Sequence, residues 1–153
     1  MKPPRPEAFD AFAFPPRPEH LRILRSTLRR DWESRGVAIE VAQSALLVLD
    51  ELISNAIEHS GAYRGASSEL SVRVRAEPQV VEFEFFDPEV PSSVAESLAQ
   101  SLGDQKNGTA APPPLDSERG RGLYLVAMGV DQLRVEAGDD GGLRLSGRIV
   151  PRA

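Results

Sequence analysis

Two neighbouring segments with alternating residues constrain the fold of this chain more than any other feature. Apolar residues occupy every second position in LSVRVRA (Leu70–Ala76) and again in VEFEFFD (Val81–Asp87). Two of the positions between them are positive in the first segment and two are negative in the second: Arg73, Arg75, Glu82 and Glu84. Such alternation is typical of strands with one buried face, and the short EPQ link predicts an antiparallel hairpin. Its outer face would pair opposite charges, and its apolar face needs a covering layer.

Two helices predicted ahead of this hairpin can supply the covering layer. The first spans Glu19 to about Arg35, since Gly36 is a natural stop and apolar residues recur at helical spacing. These apolar residues are Leu21, Leu24, Leu28 and Trp32. The second helix spans Ile39 to His59 and ends before Gly61. Ahead of both helices, the segment FDAFAF predicts a short edge strand.

The C-terminal part of the chain adds a helix and a second hairpin. The helix follows GRG and has an apolar face of Leu123, Val126, Ala127 and Val130. DQLRVEA and LRLSGRIV alternate as strands do, and Asp140-Gly141 suits a tight turn between them. The predicted fold is α+β, a two-layer sandwich in which about three helices cover one face of a mixed, mostly antiparallel sheet. Residues 9–153 are expected to form a single domain, and the proline-rich residues 1–8 a disordered tail.

The composition excludes several kinds of chemistry. Cysteine is absent, which excludes disulfides, thiolate catalysis and cysteine-based zinc sites. The two histidines, His20 and His59, lie far apart in sequence, which argues against a multi-histidine metal site. The net charge of −5 argues against direct nucleic-acid binding, and no apolar run is long enough for a membrane span. We therefore expect a soluble, cytoplasmic protein that binds neither nucleic acid nor membrane.

The segment DELISNAIEHS (Asp50–Ser60) places polar residues at intervals of four on the second predicted helix: Glu51, Asn55 and His59. The stripe expected to face the sheet consists of Leu46, Leu49, Ile53 and Ala56, so the polar residues point elsewhere. Both a solvated helix face and a magnesium–nucleotide site explain them. Leu47 and Val48 lie one turn before Glu51, which indicates that this face is partly covered. A carboxylate on a partly covered face favours the magnesium–nucleotide site.

Asp87 ends the second strand in phase with the apolar residues of the buried face. A carboxylate that points inward is costly to bury unless it accepts hydrogen bonds. Either a backbone cap or the exocyclic amine of a purine can donate to it, and the sequence leaves both possibilities open.

The segment SERGRGLYLV (Ser117–Val126) places two glycines directly before the third predicted helix. Free backbone N–H groups at a helix start bind anions, and Gly120 and Gly122 would let phosphates approach closely. Arg119 and Arg121 add positive charge. A simple turn that leads into the helix explains the same glycines.

The preceding segment, residues 88–119, has little apolar periodicity. PSSVAESLAQSLG predicts a short helix within it, with Ser92 or Ser93 as the cap. A long segment of this kind inside a compact domain is typical of a functional lid or an insertion.

One charged surface remains, on the first predicted helix. Arg22, Arg25 and Arg29 share a face of this helix. A solvated basic face explains them, and a docking surface for an acidic partner is the alternative.

In their order along the chain, these motifs resemble those of the GHKL ATPase superfamily, which includes gyrase, histidine kinases and mismatch-repair ATPases. ELISNAIEH resembles its N box, and GRGLYLV resembles its second glycine box. The spacing and compact size resemble the bacterial anti-sigma-factor serine kinases, over about residues 15–150. One box departs from the pattern, because the usual D-x-G-x-G reads DPEVP (Asp87–Pro91) and lacks both glycines. The resemblance implies a Bergerat-type ATP-binding fold.

The resemblance also implies a role for each candidate residue, with ATP and Mg²⁺ as cofactors. Asn55 would be the magnesium ligand, and Glu51 the general base that accepts a proton from the attacking hydroxyl. Asp87 would accept a hydrogen bond from the adenine amine, and His59 would lie near the phosphates. The second glycine box would bind the phosphates through Arg119, Gly120, Arg121, Gly122 and Leu123. Residues 88–119 would form the lid over ATP.

The function implied by the resemblance is that of a protein serine/threonine kinase with anti-sigma activity. It would bind a sigma factor, phosphorylate a small anti-sigma antagonist protein, and form a homodimer with the first helix as a candidate interface. The missing glycines favour an alternative, a non-catalytic nucleotide-binding or docking module that regulates a transcription partner by binding alone. A free-standing ATPase or a histidine kinase module fits less well, because no hairpin with a phospho-accepting histidine is predicted ahead of the domain.

Overall fold

A computed structural model of the chain describes residues 9–58, 68–108, 118–138 and 141–152. For residues 118–121 and 123, the description covers the helix to which they belong and not their side chains. The helices are α1 (Pro18–Ser34), α2 (Ile39–Glu58), α3 (Ser92–Asn107) and α4 (Glu118–Gly129). The strands are β1 (Asp10–Phe14), β2 (Leu70–Glu77), β3 (Val80–Asp87), β4 (Asp131–Ala137) and β5 (Leu143–Ile149).

The strands form one sheet in the order β1-β2-β3-β5-β4, and each pair within it is antiparallel. The β2–β3 register confirms the predicted hairpin, with Arg73 opposite Glu84 and Arg75 opposite Glu82. Both pairs form ion pairs, and the Arg73 Nη1 to Glu84 Oε2 distance is 2.8 Å. The opposite charges seen in the sequence therefore mark the outer face of the sheet, and β1 is the predicted edge strand.

The helices cover the other face and confirm the two-layer α+β prediction. On the sheet, the buried face carries the alternating apolar residues of β2, β3 and β5. On α1, the buried residues are the four predicted ones: Leu21, Leu24, Leu28 and Trp32. α2 packs against α1, β3, β5 and α4, so it is the central helix of the covering layer.

The prediction of only a short helix within residues 88–119 was wrong, because the helix there is longer. α3 continues to Asn107, and its cap is Pro91, with no side-chain hydrogen bond from Ser92 or Ser93. Ala95 and Leu102 are buried, and α3 packs against α4 and β4. Gly108, with a φ of 73°, ends the helix in the left-handed conformation that favours glycine. Tertiary contacts thus stabilise a helix that local periodicity barely indicates.

Two other boundaries also differ from the predictions. α4 begins at Glu118, so the glycines of GRG lie within its first two turns and not ahead of it. The β4–β5 connection spans residues 138–142, because Ala137 pairs with Leu143, and it is longer than a two-residue turn at Asp140-Gly141. Asp140 itself lies outside the described residues.

The basic face of α1 is partly used within the protein. Arg25 forms an ion pair with Asp50 of α2, while Arg22 and Arg29 are exposed. The pair links the two helices of the covering layer. It therefore leaves a smaller basic surface than the sequence predicted.

Candidate functional site

The central helix α2 presents Glu51 and Asn55 one turn apart on the same face, and both side chains are half-buried. Val48, one turn before Glu51, is buried against Gly129 of α4, whereas Leu47 remains 48% exposed. The inference that this face is partly covered is therefore confirmed for Val48 and wrong for Leu47. A simple solvated face does not describe Glu51 and Asn55, because α4 lies against this side of α2.

The approach of α4 brings two sequence motifs together. A Cβ on Gly122 would overlap Glu51 Oε2 and lie 2.8 Å from Glu51 Cδ, closer than carbon atoms can pack. Glycine is therefore the residue that lets the Glu51 carboxylate rest directly against the backbone of α4. The sequence indicated a glycine for phosphate approach, but the contact with Glu51 has no local signal, because the two residues are far apart in the chain.

The contact also places the start of α4 next to Glu51. The first four N–H groups of a helix have no partner within the helix, and they carry a partial positive charge. In α4 these groups include those of residues 118–120, in the turn that leads to Gly122. Arg119, Gly120, Arg121 and Leu123 share this helix. The arrangement can bind an anion in front of Glu51, which is what a phosphate site requires.

Asp87 lies at the end of β3, a strand against which α2 also packs. It is 1% exposed, and it is the one charged residue that is buried within the described part of the chain. Its Oδ1 accepts a hydrogen bond from the backbone N–H of Glu89 at 3.1 Å. The backbone cap anticipated from the sequence is therefore present. A carboxylate offers about four acceptor positions, so this bond and a bond from a purine amine are compatible.

The donor set fits ATP and Mg²⁺. The Asn55 amide oxygen is a hard donor of the kind that magnesium prefers, and magnesium sites commonly use one or two protein oxygens with phosphates and waters. The described residues contain no group of three or more histidine or acidic side chains that could hold a metal by themselves. Asp87 supplies a buried acceptor, and Gly122 leaves the space beside Glu51 free of a side chain. His59 lies outside the described residues.

Sequence reasoning missed a group of residues near Asp87. The backbone N–H of Gly142, in the β4–β5 connection, donates to the Val90 carbonyl at 2.7 Å. Asp139 and Asp140 of this connection lie outside the described residues, and its glycines suggested only a turn. The contact depends on the pairing of β3 with β5, which sets Asp87 opposite Leu143.

Within the described residues, no helix combines the length and the hydropathy that a membrane span requires.

Comparisons with known proteins agree with this fold. The solved structure of the SiaB-SiaC complex from Pseudomonas aeruginosa contains a chain with the same fold, at a TM-score of 0.73 and 18% sequence identity. The match covers 92% of this chain and 88% of that chain. No curated protein sequence matches the chain significantly. A family model described as the histidine kinase-like ATPase domain matches residues 14–146, which is most of the chain. The chain therefore belongs to the histidine kinase-like ATPase domain family, whose fold implies ATP binding.

Proposed function

We propose that this protein is an ATP-dependent serine/threonine protein kinase of the anti-sigma type, which phosphorylates a small antagonist protein. The observation that carries the proposal is the contact between Glu51 and Gly122. It sets a half-buried carboxylate beside the start of α4, where a helix terminus favours phosphate. A carboxylate in that position is suited to take a proton from a hydroxyl that attacks a phosphoryl group.

In this proposal each candidate residue acts from its own element. Bound Mg–ATP supplies the phosphoryl group that is transferred. From α2, Glu51 accepts the proton of the acceptor serine, and Asn55 holds the magnesium ion. Asp87 accepts a hydrogen bond from the adenine amine. The phosphate contacts come from Arg119, Gly120, Arg121, Gly122, Leu123 and His59.

The proposal includes the segment between β3 and α4 as a lid over the nucleotide. α3 occupies most of this segment and packs against α4. Closure of a lid would exclude water from the transferred phosphate and retain the nucleotide. In this proposal residues 1–8 are a tail, and residues 9–153 form one ATP-binding domain.

The partners in this proposal are a sigma factor and its antagonist, with a homodimer as the working unit. The solved neighbour of similar fold comes from a complex of two proteins, SiaB and SiaC, which supports regulation through protein binding. The exposed arginines of α1, Arg22 and Arg29, suit an acidic surface on a partner.

A second candidate function is a module that binds nucleotide and partner without phosphoryl transfer. The DPEVP segment favours it, because Glu89 and Pro91 stand where the usual pattern has glycines, and Pro88 restricts the backbone between them and Asp87. Both functions place nucleotide at the same site. They differ only in whether Glu51 takes a proton during transfer.

One experiment separates the two functions. Nucleotide titration with and without Mg²⁺ is followed by incubation with γ-labelled ATP and purified candidate antagonist proteins. Labelled phosphoserine in the antagonist supports the kinase. Binding of Mg–ATP without transfer to any candidate supports the non-catalytic module. No binding of nucleotide contradicts both.

A further inference from the structure

The segment after β3 is held by a part of the chain that lies more than 45 residues away in sequence. Besides the Gly142 N–H bond to Val90, the Ser92 hydroxyl donates to the Gly138 carbonyl at 3.4 Å. The connection itself is closed by backbone bonds among its glycines, from Gly138 to Gly142 and from Gly141 to Gly138, both at 3.1 Å. Residues 138, 141 and 142 thus form a backbone brace for Asp87–Pro91.

Two of the brace residues cannot carry a side chain without strain. Gly141 and Gly142 have φ values of 92° and 96°, which L-residues rarely adopt. A Cβ on Gly142 would also lie 3.2 Å from the Phe86 ring and 3.5 Å from the Asp87 carbonyl oxygen. The brace therefore lies against the Phe86 ring and the Asp87 carbonyl, and it is bonded to the Val90 carbonyl.

The sequence of the braced segment explains why an external support is needed. Pro88 and Pro91 each fix their own φ, and Pro91 has a φ of −60° and a ψ of 146°. A glycine-rich segment can adjust its backbone around a bound base, but a segment with two prolines moves largely as a unit. Its position, and with it the direction of the Asp87 carboxylate, depends on what holds the unit.

We propose that Gly142 is a positioning residue for nucleotide-base recognition. In this proposal the brace holds Asp87–Pro91 in position, in a segment that lacks the two usual glycines. This inference rests on the proposed function, in which Asp87 accepts from the adenine amine. The brace keeps the buried carboxylate aimed at the base, while the Glu89 N–H bond orients its other side. The site then selects purines that carry an amine over those that carry a carbonyl oxygen at the same place.

The test is the ratio of the dissociation constants for ATP and inosine triphosphate, which has a carbonyl oxygen in place of the amine. We expect the parent protein to prefer ATP by about one to two decades, the size of a charge-assisted hydrogen bond. Gly142→Ala should lower this preference about tenfold, because alanine strains the positive φ and its Cβ presses on the Phe86 ring next to Asp87.

Gly36→Ala is the matched control. Gly36 also has a positive φ, 75°, and a Cβ there meets nothing within 4 Å. It introduces the same backbone strain far from Asp87 and should keep the parental ATP preference. If Gly142→Ala fails to fold, Ser92→Ala decides, because it removes only the hydroxyl bond to Gly138. A reduced ATP preference in Ser92→Ala supports the brace, and an unchanged preference overturns it.

Asp87→Asn distinguishes failure of the brace from failure of the site. Loss of preference in both Asp87→Asn and Gly142→Ala supports the inference. Loss in Asp87→Asn with the parental ratio in Gly142→Ala overturns the brace and leaves the proposed site in place. An Asp87→Asn protein that still prefers ATP removes adenine recognition from Asp87, and the inference is then overturned together with that assignment.

Discussion

Gly122→Ala should slow phosphoryl transfer while leaving the fold intact. The new Cβ would lie 2.8 Å from Glu51 Cδ, whereas ordinary van der Waals contact begins at 3.4 Å. The end of the Glu51 side chain must therefore retreat by about 0.6 Å, and its Oε2 atom by more, because that atom lies closer still. A displacement near 1 Å in a reacting group costs about 100-fold in rate, which corresponds to roughly 2.7 kcal/mol of activation free energy.

The free energy of unfolding should change much less than the rate. Within a helix, alanine is more favourable than glycine by about 1 kcal/mol. Insertion of a methyl group into a packed contact costs about 1–3 kcal/mol, and the flexible Glu51 side chain can absorb part of the strain by rotating. The two effects largely offset each other, so the melting temperature should stay within a few degrees of the parent value.

The assay is the single-turnover rate of phosphate transfer at saturating Mg–ATP, measured beside thermal unfolding. Gly129→Ala is the matched control on the same helix, because its Cβ would meet Val48 Cγ2 at an ordinary 3.7 Å. It adds a methyl group to the same helix without displacing Glu51, so its rate should equal that of the parent. A parental rate in Gly122→Ala would refute the reasoning, since Glu51 would then either keep its place or have no part in the transfer.

Four further perturbations test the proposed site. Glu51→Gln keeps the shape of the side chain but cannot take a proton, so the transfer rate should fall about 10²–10⁴-fold while ATP affinity is retained. Asn55→Ala should lose the magnesium dependence of nucleotide binding. Small and similar effects in both variants would indicate a solvated helix face. Asp87→Asn should weaken ATP binding by about one to two decades in titration calorimetry, and an unchanged affinity would remove it from the adenine site. Mg–ATP should slow proteolytic cleavage between residues 88 and 118 by more than its stabilisation of the whole domain explains. Equal cleavage rates with and without Mg–ATP, compared at the same folding stability, would argue against a lid.

The sequence determined most of the elements and the direction of several side chains. Alternation places successive residues of a strand on opposite faces, so the Arg–Glu pairs of the β2–β3 hairpin and the inward direction of Asp87 followed from spacing alone. The apolar spacing of α1 predicted its four buried residues in the same way. These features depend on local backbone geometry, which is why a single sequence contains them.

Tertiary structure decided the length of α3, the start of α4 and the contacts that build the site. α3 depends on packing against α4 and β4 and on the Lys106 ammonium group, which donates to the Val130 carbonyl at 2.6 Å. The contact of Gly122 with Glu51 joins residues from two helices, and the bond from Gly142 to Val90 joins two strand ends. Such pairs leave no periodic trace, because they depend on how α2, α4 and the sheet are placed in space. The sequence therefore supplied the candidate groups, and the packing of distant segments decided which of them meet.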